Sequence, residues 1–140
     1  MPLALEIIGP EKLLLSRDVD MVVIPGTEGD IGVLPGHAKL ITGLRGGLVD
    51  IYENGKITDR LFVTGGFAEV TETYCAVLAD TITRQSDLDA TKAAESLSIA
   101  KITYDATDLN DGDAYREASD RLISAQAMVD SLTGHRGEAA

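Results

Sequence analysis

Leu48-Val49-Asp50-Ile51-Tyr52-Glu53-Asn54-Gly55-Lys56-Ile57-Thr58-Asp59-Arg60-Leu61-Phe62-Val63-Thr64 is the stretch that decides the fold class. Two runs rich in β-branched and aromatic residues, Leu48 to Glu53 and Ile57 to Thr64, flank Asn54-Gly55. That dipeptide suits a two-residue type I′ turn, in which both central residues take positive φ, so the flanking runs are predicted to pair directly as a hairpin. Outward from it the same period-2 pattern returns. Leu3, Leu5 and Ile7 alternate with Ala4 and Glu6, and Val19, Met21 and Val23 with Asp18, Asp20 and Val22. Further runs span Phe67 to Thr71 and Tyr74 to Thr81. Alternation of this kind turns one strand face to a core and the other to water. Short strands punctuated by Pro25-Gly26 and Pro35-Gly36 predict an antiparallel β-sandwich or flattened barrel over residues 1–84.

Two glycine clusters stand out within that half: Gly29-Asp30-Ile31-Gly32-Val33-Leu34-Pro35-Gly36-His37 and Thr64-Gly65-Gly66-Phe67. Glycine costs about 0.5–1 kcal/mol relative to alanine inside a strand or helix, so both clusters are read as loops selected for backbone shape.

After Arg84 the period changes to three and four. Ala90, Ala93, Leu97, Ala100 and Tyr104 form one stripe, with Ser86 or Asp87 as the expected cap. A polar break from Asp105 to Asp113 offers Asp111 or Asp113 as the next cap. A second stripe follows, Tyr115, Ala118, Leu122, Ala125, Val129 and Leu132, with Gly134 as the stop. The prediction is an antiparallel two-helix hairpin over residues 85–140, carrying little apolar area of its own. It reads either as a moving part or as a permanently docked appendage.

Composition narrows the function. The chain has 140 residues, 44% of them hydrophobic, enough for one ordinary core. No stretch approaches the roughly 20 apolar residues of a membrane span, and Met1 to Ile8 lacks the form of a signal peptide. With 23 acidic and 12 basic side chains the formal charge is −11, which disfavours nucleic acid and direct insertion into anionic lipid. Aromatics are 4% and Trp is absent, so stacking platforms for sugars or single strands are missing. The lone Cys75 lies in a strand with no neighbouring base and reads as a core residue. His37 and His135 fall in different halves, and no metal site is expected.

The glycine loop Gly29 to His37, the turn Gly65-Gly66-Phe67 with Glu69 and Val70, and the strand Val77-Leu78-Ala79-Asp80-Thr81 together resemble the epsilon subunit of bacterial F-type ATP synthases. The resemblance extends to the division into sandwich and helical hairpin. It implies a noncatalytic rotor part of the central stalk that grips the gamma subunit and rests on the c-ring. Such a part helps couple proton-driven rotation to ATP synthesis, without a cofactor, peripheral to the inner membrane on its cytoplasmic side. The hairpin would fold against the sandwich or extend along gamma toward the alpha and beta subunits and hinder ATP hydrolysis. The chain carries no phosphate loop that would contradict a noncatalytic role.

By that resemblance Glu28, Asp30 and His37 are candidates for the gamma or c-ring interface. The plainer readings are solvated turn acids and a histidine that pins its own loop; proton chemistry at His37 lacks a partner placed by the sequence. Leu88-Asp89-Ala90-Thr91-Lys92-Ala93 resembles the segment with which some family members hold ATP, but Lys92 stands where those members have arginine. Lysine keeps the charge and loses the planar two-pronged donor, which weakens Asp89 and Lys92 as a nucleotide site. The second helix holds Asp113, Glu117, Asp120 and Asp130 against Arg116 and Arg121, a balance that predicts weak inhibition of hydrolysis. Two rivals remain: a nucleotide sensor whose hairpin closes over its ligand, and a hydrolase built on His37.

Overall fold

A computed structural model describes residues 2–133. Ten strands form two five-stranded sheets. Sheet A has the order β2 (Leu13–Val19), β1 (Leu3–Ile8), β9 (Tyr74–Ala79), β8 (Gly66–Val70), β5 (Leu40–Gly43). Sheet B has the order β10 (Ile82–Arg84), β7 (Lys56–Val63), β6 (Gly47–Glu53), β3 (Met21–Gly26), β4 (Gly29–Val33). The predicted sandwich is therefore present. Its ladders are antiparallel except for β1 and β9, which run parallel with Leu5 opposite Cys75.

The Asn54-Gly55 turn forms as its sequence requires, with φ of 56° and 76° and Glu53 opposite Lys56. Between the sheets, Leu3, Leu5, Ile7, Ile24, Val33, Val49, Ile51, Val63, Val70 and Val77 are fully or almost fully buried in one cluster. The alternation read from Val19 to Val23 breaks at Asp20. Val19 is buried, but beyond Asp20 the buried residues are Val22 and Ile24. The physical reason is that β2 belongs to sheet A and β3 to sheet B. The chain crosses between layers at Asp20, whose carboxylate accepts from Asn54 N at 2.6 Å, and the inward parity resets.

The first glycine cluster is only partly a loop. Gly29–Val33 is the edge strand β4, paired with β3 through Val22–Val33 and Ile24–Ile31. An edge strand has one neighbour, so the glycine penalty is outweighed by burial of Val33 and by the ladder. The loop proper is Leu34-Pro35-Gly36-His37. His37 N donates to Leu34 O at 3.1 Å, Pro35 occupies the second position and Gly36 takes φ 88° at the third, a type II turn. Gly36 N donates to Glu72 O at 2.7 Å and ties the turn to sheet A.

One ionic network closes the edge between the sheets. Arg17 of β2 donates through Nε to Glu53 of β6 at 2.8 Å and through Nη2 to Asp59 of β7; Asp59 also accepts from Arg84 of β10 at 2.9 Å. Burial pushes the Asp59 carboxyl up, and the hydrogen bonds and charges of the two arginines outweigh it, leaving it below the ordinary value. A carboxylate lowered in the folded state contributes stability above its unfolded pKa, near 3.9, and loses it as pH falls through the folded value. Asp59→Asn is therefore expected to cost about 1–3 kcal/mol at pH 7, with the gap closing below about pH 4. Urea melts across that range test it, and a gap independent of pH would contradict it.

Beyond Arg84 the chain makes a single 3₁₀ turn, Gln85–Asp87, and then α1 (Ala90–Ala106) and α2 (Gly112–Leu132). The cap of α1 is Asp89, not Ser86 or Asp87, because those two residues are used in the short turn and Leu88 is extended. Asp111 caps α2, accepting from Ala114 N at 3.1 Å. The helices pack through small residues, Ala93 and Ala100 against the side of α2 that buries Ala118 and Ala125. Tyr104 and Tyr115 join them beside the connecting loop, hydroxyl to hydroxyl at 2.6 Å. The expected stop at Gly134 lies outside the described residues, as does His135.

Candidate functional site

The two outer faces of the sandwich differ. On sheet B, Leu48 and Asp50 of β6 and their partners Phe62 and Arg60 of β7 point away from the core, yet Leu48, Asp50 and Phe62 are buried. Helix α2 packs on β6 and covers this face. Asp50 and Arg60 form an ion pair at 3.5 Å there. The approach is closest at Gly46, where an added Cβ would lie 2.3 Å from Ser124 Oγ and 2.6 Å from Ser124 Cα. Beside it a cleft of about 700 Å³ runs between the sheet and α2, lined by Arg45, Leu48, Lys101, Leu122 and Gln126 among others.

On sheet A the corresponding face is bare. Ile41 of β5, Phe67 of β8 and Leu78 of β9 are 74%, 63% and 46% exposed. Phe67 is directly opposite Leu78, and Ile41 is opposite Glu69, so the three share one outward patch across adjacent strands. The patch continues into an acidic side. Glu69 accepts from the Tyr74 hydroxyl, and Glu6 is on the same face opposite Ala76. An apolar row this exposed on a rigid sheet marks a contact surface. It was missed in the sequence because Tyr74 to Ala79 is apolar at almost every position, so alternation gave no clue to which face was covered.

The candidates read from sequence do not converge on one point. Glu28 is exposed in the two-residue turn between β3 and β4, and Asp30 begins the outward side of β4, where Arg45 Nη2 holds it at 2.6 Å. His37 lies beyond the other end of β4, a strand of about 17 Å at 3.4 Å per residue. Its Nδ1 lies 2.7 Å from its neighbour's Ala38 O, a local contact with no acid or nucleophile. Asp89 accepts from Lys92 N at 3.0 Å, so its carboxylate is used as a helix cap, and Lys92 is exposed. Burial pushes the Cys75 thiol up to about 12, which makes it a core residue and not a nucleophile. No group of three or more His, Cys, Asp or Glu with metal-binding geometry occurs among the described residues. No helix among them is long and apolar enough to cross a membrane.

Geometry of this kind can bind and transmit force, and comparison with known proteins gives the context. Residues 2–85 match the family described as the ATP synthase, Delta/Epsilon chain, beta-sandwich domain. The ATP synthase epsilon chain of Granulibacter bethesdensis is 49% identical over 128 residues, covering 91% of this chain and 95% of the relative. The chain belongs to the ATP synthase epsilon chain family. The epsilon chain of Gluconacetobacter diazotrophicus is 43% identical, with 96% and 95% covered. As an epsilon chain it is a noncatalytic subunit of ATP synthase. Among solved structures, a chain of the Euglena gracilis mitochondrial ATP synthase OSCP/F1/c-ring assembly superposes with TM-score 0.80 at 22% identity, over 94% of this epsilon chain and 81% of the other. A chain of the Tetrahymena thermophila mitochondrial ATP synthase central stalk and c-ring gives 0.71 at 12% identity, with 94% and 97% covered. At those identities the superpositions speak for the fold.

Proposed function

We propose that this epsilon chain couples proton-driven rotation to ATP synthesis as a rigid clamp, with the outer face of sheet A seated on the gamma subunit. The observation that carries the reading is the row Ile41, Phe67 and Leu78, left bare while the opposite sheet is covered by the chain's own hairpin. A close-packed two-sheet core resists shear, which suits a part that passes torque between neighbours. The β4 segment with Glu28, Asp30 and His37 faces the c-ring in this reading. Asp30 then meets basic c-ring groups in competition with Arg45, which already holds it.

Residues 1–84 act as the gripping domain and residues 85–140 as a regulatory unit that reaches the alpha and beta subunits when extended. The acidic balance of α2 makes its inhibition of hydrolysis weak. The subunit is held at the cytoplasmic side of the inner membrane through protein contacts, without lipid insertion or a nucleic acid partner. With Asp89 occupied as a cap and lysine at position 92, the structure lends no support to an ATP-holding hairpin. A His37 hydrolase is likewise unsupported, because the ring's Nδ1 contacts the adjacent Ala38 carbonyl and no acid among the described residues is bonded to it.

Phe67→Glu is the test. The side chain is mostly solvent-exposed, so the isolated variant is expected to melt within about 0.5 kcal/mol of the parent. Its copurification with gamma from salt-washed membranes is expected to fall at least tenfold, because burial of the new carboxylate in an apolar contact is unfavourable. Wild-type recovery of gamma with the variant would sink the assignment of this face.

A further inference from the structure

The root of the hairpin is held by the same ionic network that closes the edge of the sandwich. Asp59 is a single carboxylate gripped by two guanidiniums from different elements: Arg17 from the edge of sheet A and Arg84, the last residue of the sandwich. Gln85 follows at once, and its Nε2 donates to Ser131 O at 2.7 Å. Ser131 lies in the last turn of α2, where carbonyls lack an intrahelical donor, and it is buried. Gln85 therefore satisfies a carbonyl of the helix's last turn. Its reach depends on where β10 ends, and that is where Arg84 binds Asp59. Thr58 Oγ1 accepts from Arg17 Nη2 at 3.3 Å and Glu53 Oε1 accepts from Arg17 Nε at 2.8 Å, so the arginine is itself fixed from two further points.

We infer that Asp59 is a positioning residue for the hairpin: Arg17, Asp59, Arg84, Gln85 and the Ser131 carbonyl form one relay that sets whether α2 stays seated on sheet B. The inference rests on the reading of the hairpin as a regulatory unit and names the catch that governs it. The relay lies at the opposite end of α2 from its cap Asp111. Loss of the catch frees the C-terminal turn of α2 first, and the rest of the helix stays held by its packing on β6, including the Gly46–Ser124 contact seven residues earlier.

Hydrogen exchange of the full-length chain, read by peptide, tests it. Asp59→Asn, Arg84→Gln and Gln85→Ala are each expected to speed exchange in the 124–132 segment at least tenfold, with Gln85→Ala leaving the β1 and β9 amides at parental rates. The decisive measurement is the double variant Asp59→Asn with Gln85→Ala. Groups in one relay give a double effect on 124–132 no larger than the greater single effect, whereas independent structural contacts multiply. Multiplying effects, or a Gln85→Ala effect on 124–132 matched by the β1 and β9 amides, would overturn the relay. If α2 in the parent chain exchanged like an unfolded peptide, the docked hairpin and the relay would both fall, while the Phe67→Glu result would still stand for the assembly reading. If Asp59→Asn did not fold, Arg84→Gln paired with Gln85→Ala gives the same cycle.

Discussion

Gly66→Ala is expected to remove about 4 kcal/mol of stability, the largest loss from any single methyl in the sandwich, and to lower the melting temperature by roughly 10–20 °C. Gly66 has φ 111°, and an added Cβ would fall 1.9 Å from Leu78 O and 2.9 Å from Ala79 Cα. Both are backbone atoms of β9, the strand with which β8 pairs from Gly66–Ala79 to Val70–Cys75, so neither can swing aside. Relief requires parting the β8–β9 ladder in the middle of sheet A. The backbone conformation contributes about 1–3 kcal/mol of strain for a residue with a side chain, and the overpacking about 1–3 kcal/mol more. Against a native stability of about 5–15 kcal/mol, the variant sits near the limit of folding. Denaturant melts of the purified chain decide the matter, and a loss below about 1 kcal/mol would show that the strands can part cheaply. The β8 strand also carries Phe67, so the same variant is expected to disturb the bare face on which gamma recognition is placed.

How much of this could be read in advance depended on the range of the interaction. The β6–β7 hairpin was legible because Asn54-Gly55 specifies its turn within two residues. The helix stripes were legible because Ala93, Ala100, Ala118 and Ala125 repeat at a fixed spacing. At Asp20 the alternation misled, because nothing local marks the point where a chain leaves one sheet for the other. Gly29–Val33 was read as loop because glycine argues against strands in general, while the burial of Val33 and the pairing with β3 that override it are tertiary. The cap of α1 was expected at Ser86 or Asp87, but the chain spends Gln85–Asp87 in a single turn and the cap falls to Asp89. The candidate site divides in the same way. Glu28, Asp30 and His37 were marked by a resemblance, and the Asp30–Arg45 pair that qualifies one of them joins residues 15 apart. The outward row Ile41, Phe67, Leu78 needs strand register across β5, β8 and β9, which no single segment carries.

Gly46→Val is expected to unseat the hairpin while the sandwich stays folded. The new Cβ would sit 2.6 Å from Ser124 Cα, in the backbone of α2, and the helix can yield only by moving away as a body. Gly46 lies between β5 and β6, outside both ladders, so the sheets themselves have no reason to open. Withdrawal of α2 uncovers Leu48 and Phe62 and hydrates the Asp50–Arg60 pair, and the loss of overall stability is expected to be modest, about 1–3 kcal/mol. Amides of 112–132 are expected to lose protection and those of β1 and β9 to keep it; full protection of α2 in the variant would show that the helix does not rest on Gly46. On the proposed reading of residues 85–140 as a regulatory unit, a hairpin that cannot dock is biased toward its extended form in the assembled enzyme. With two arginines against four acids in α2, hydrolysis is expected on that reading to change by less than about twofold. A severalfold fall would mean that the extended hairpin inhibits strongly despite its acidic balance.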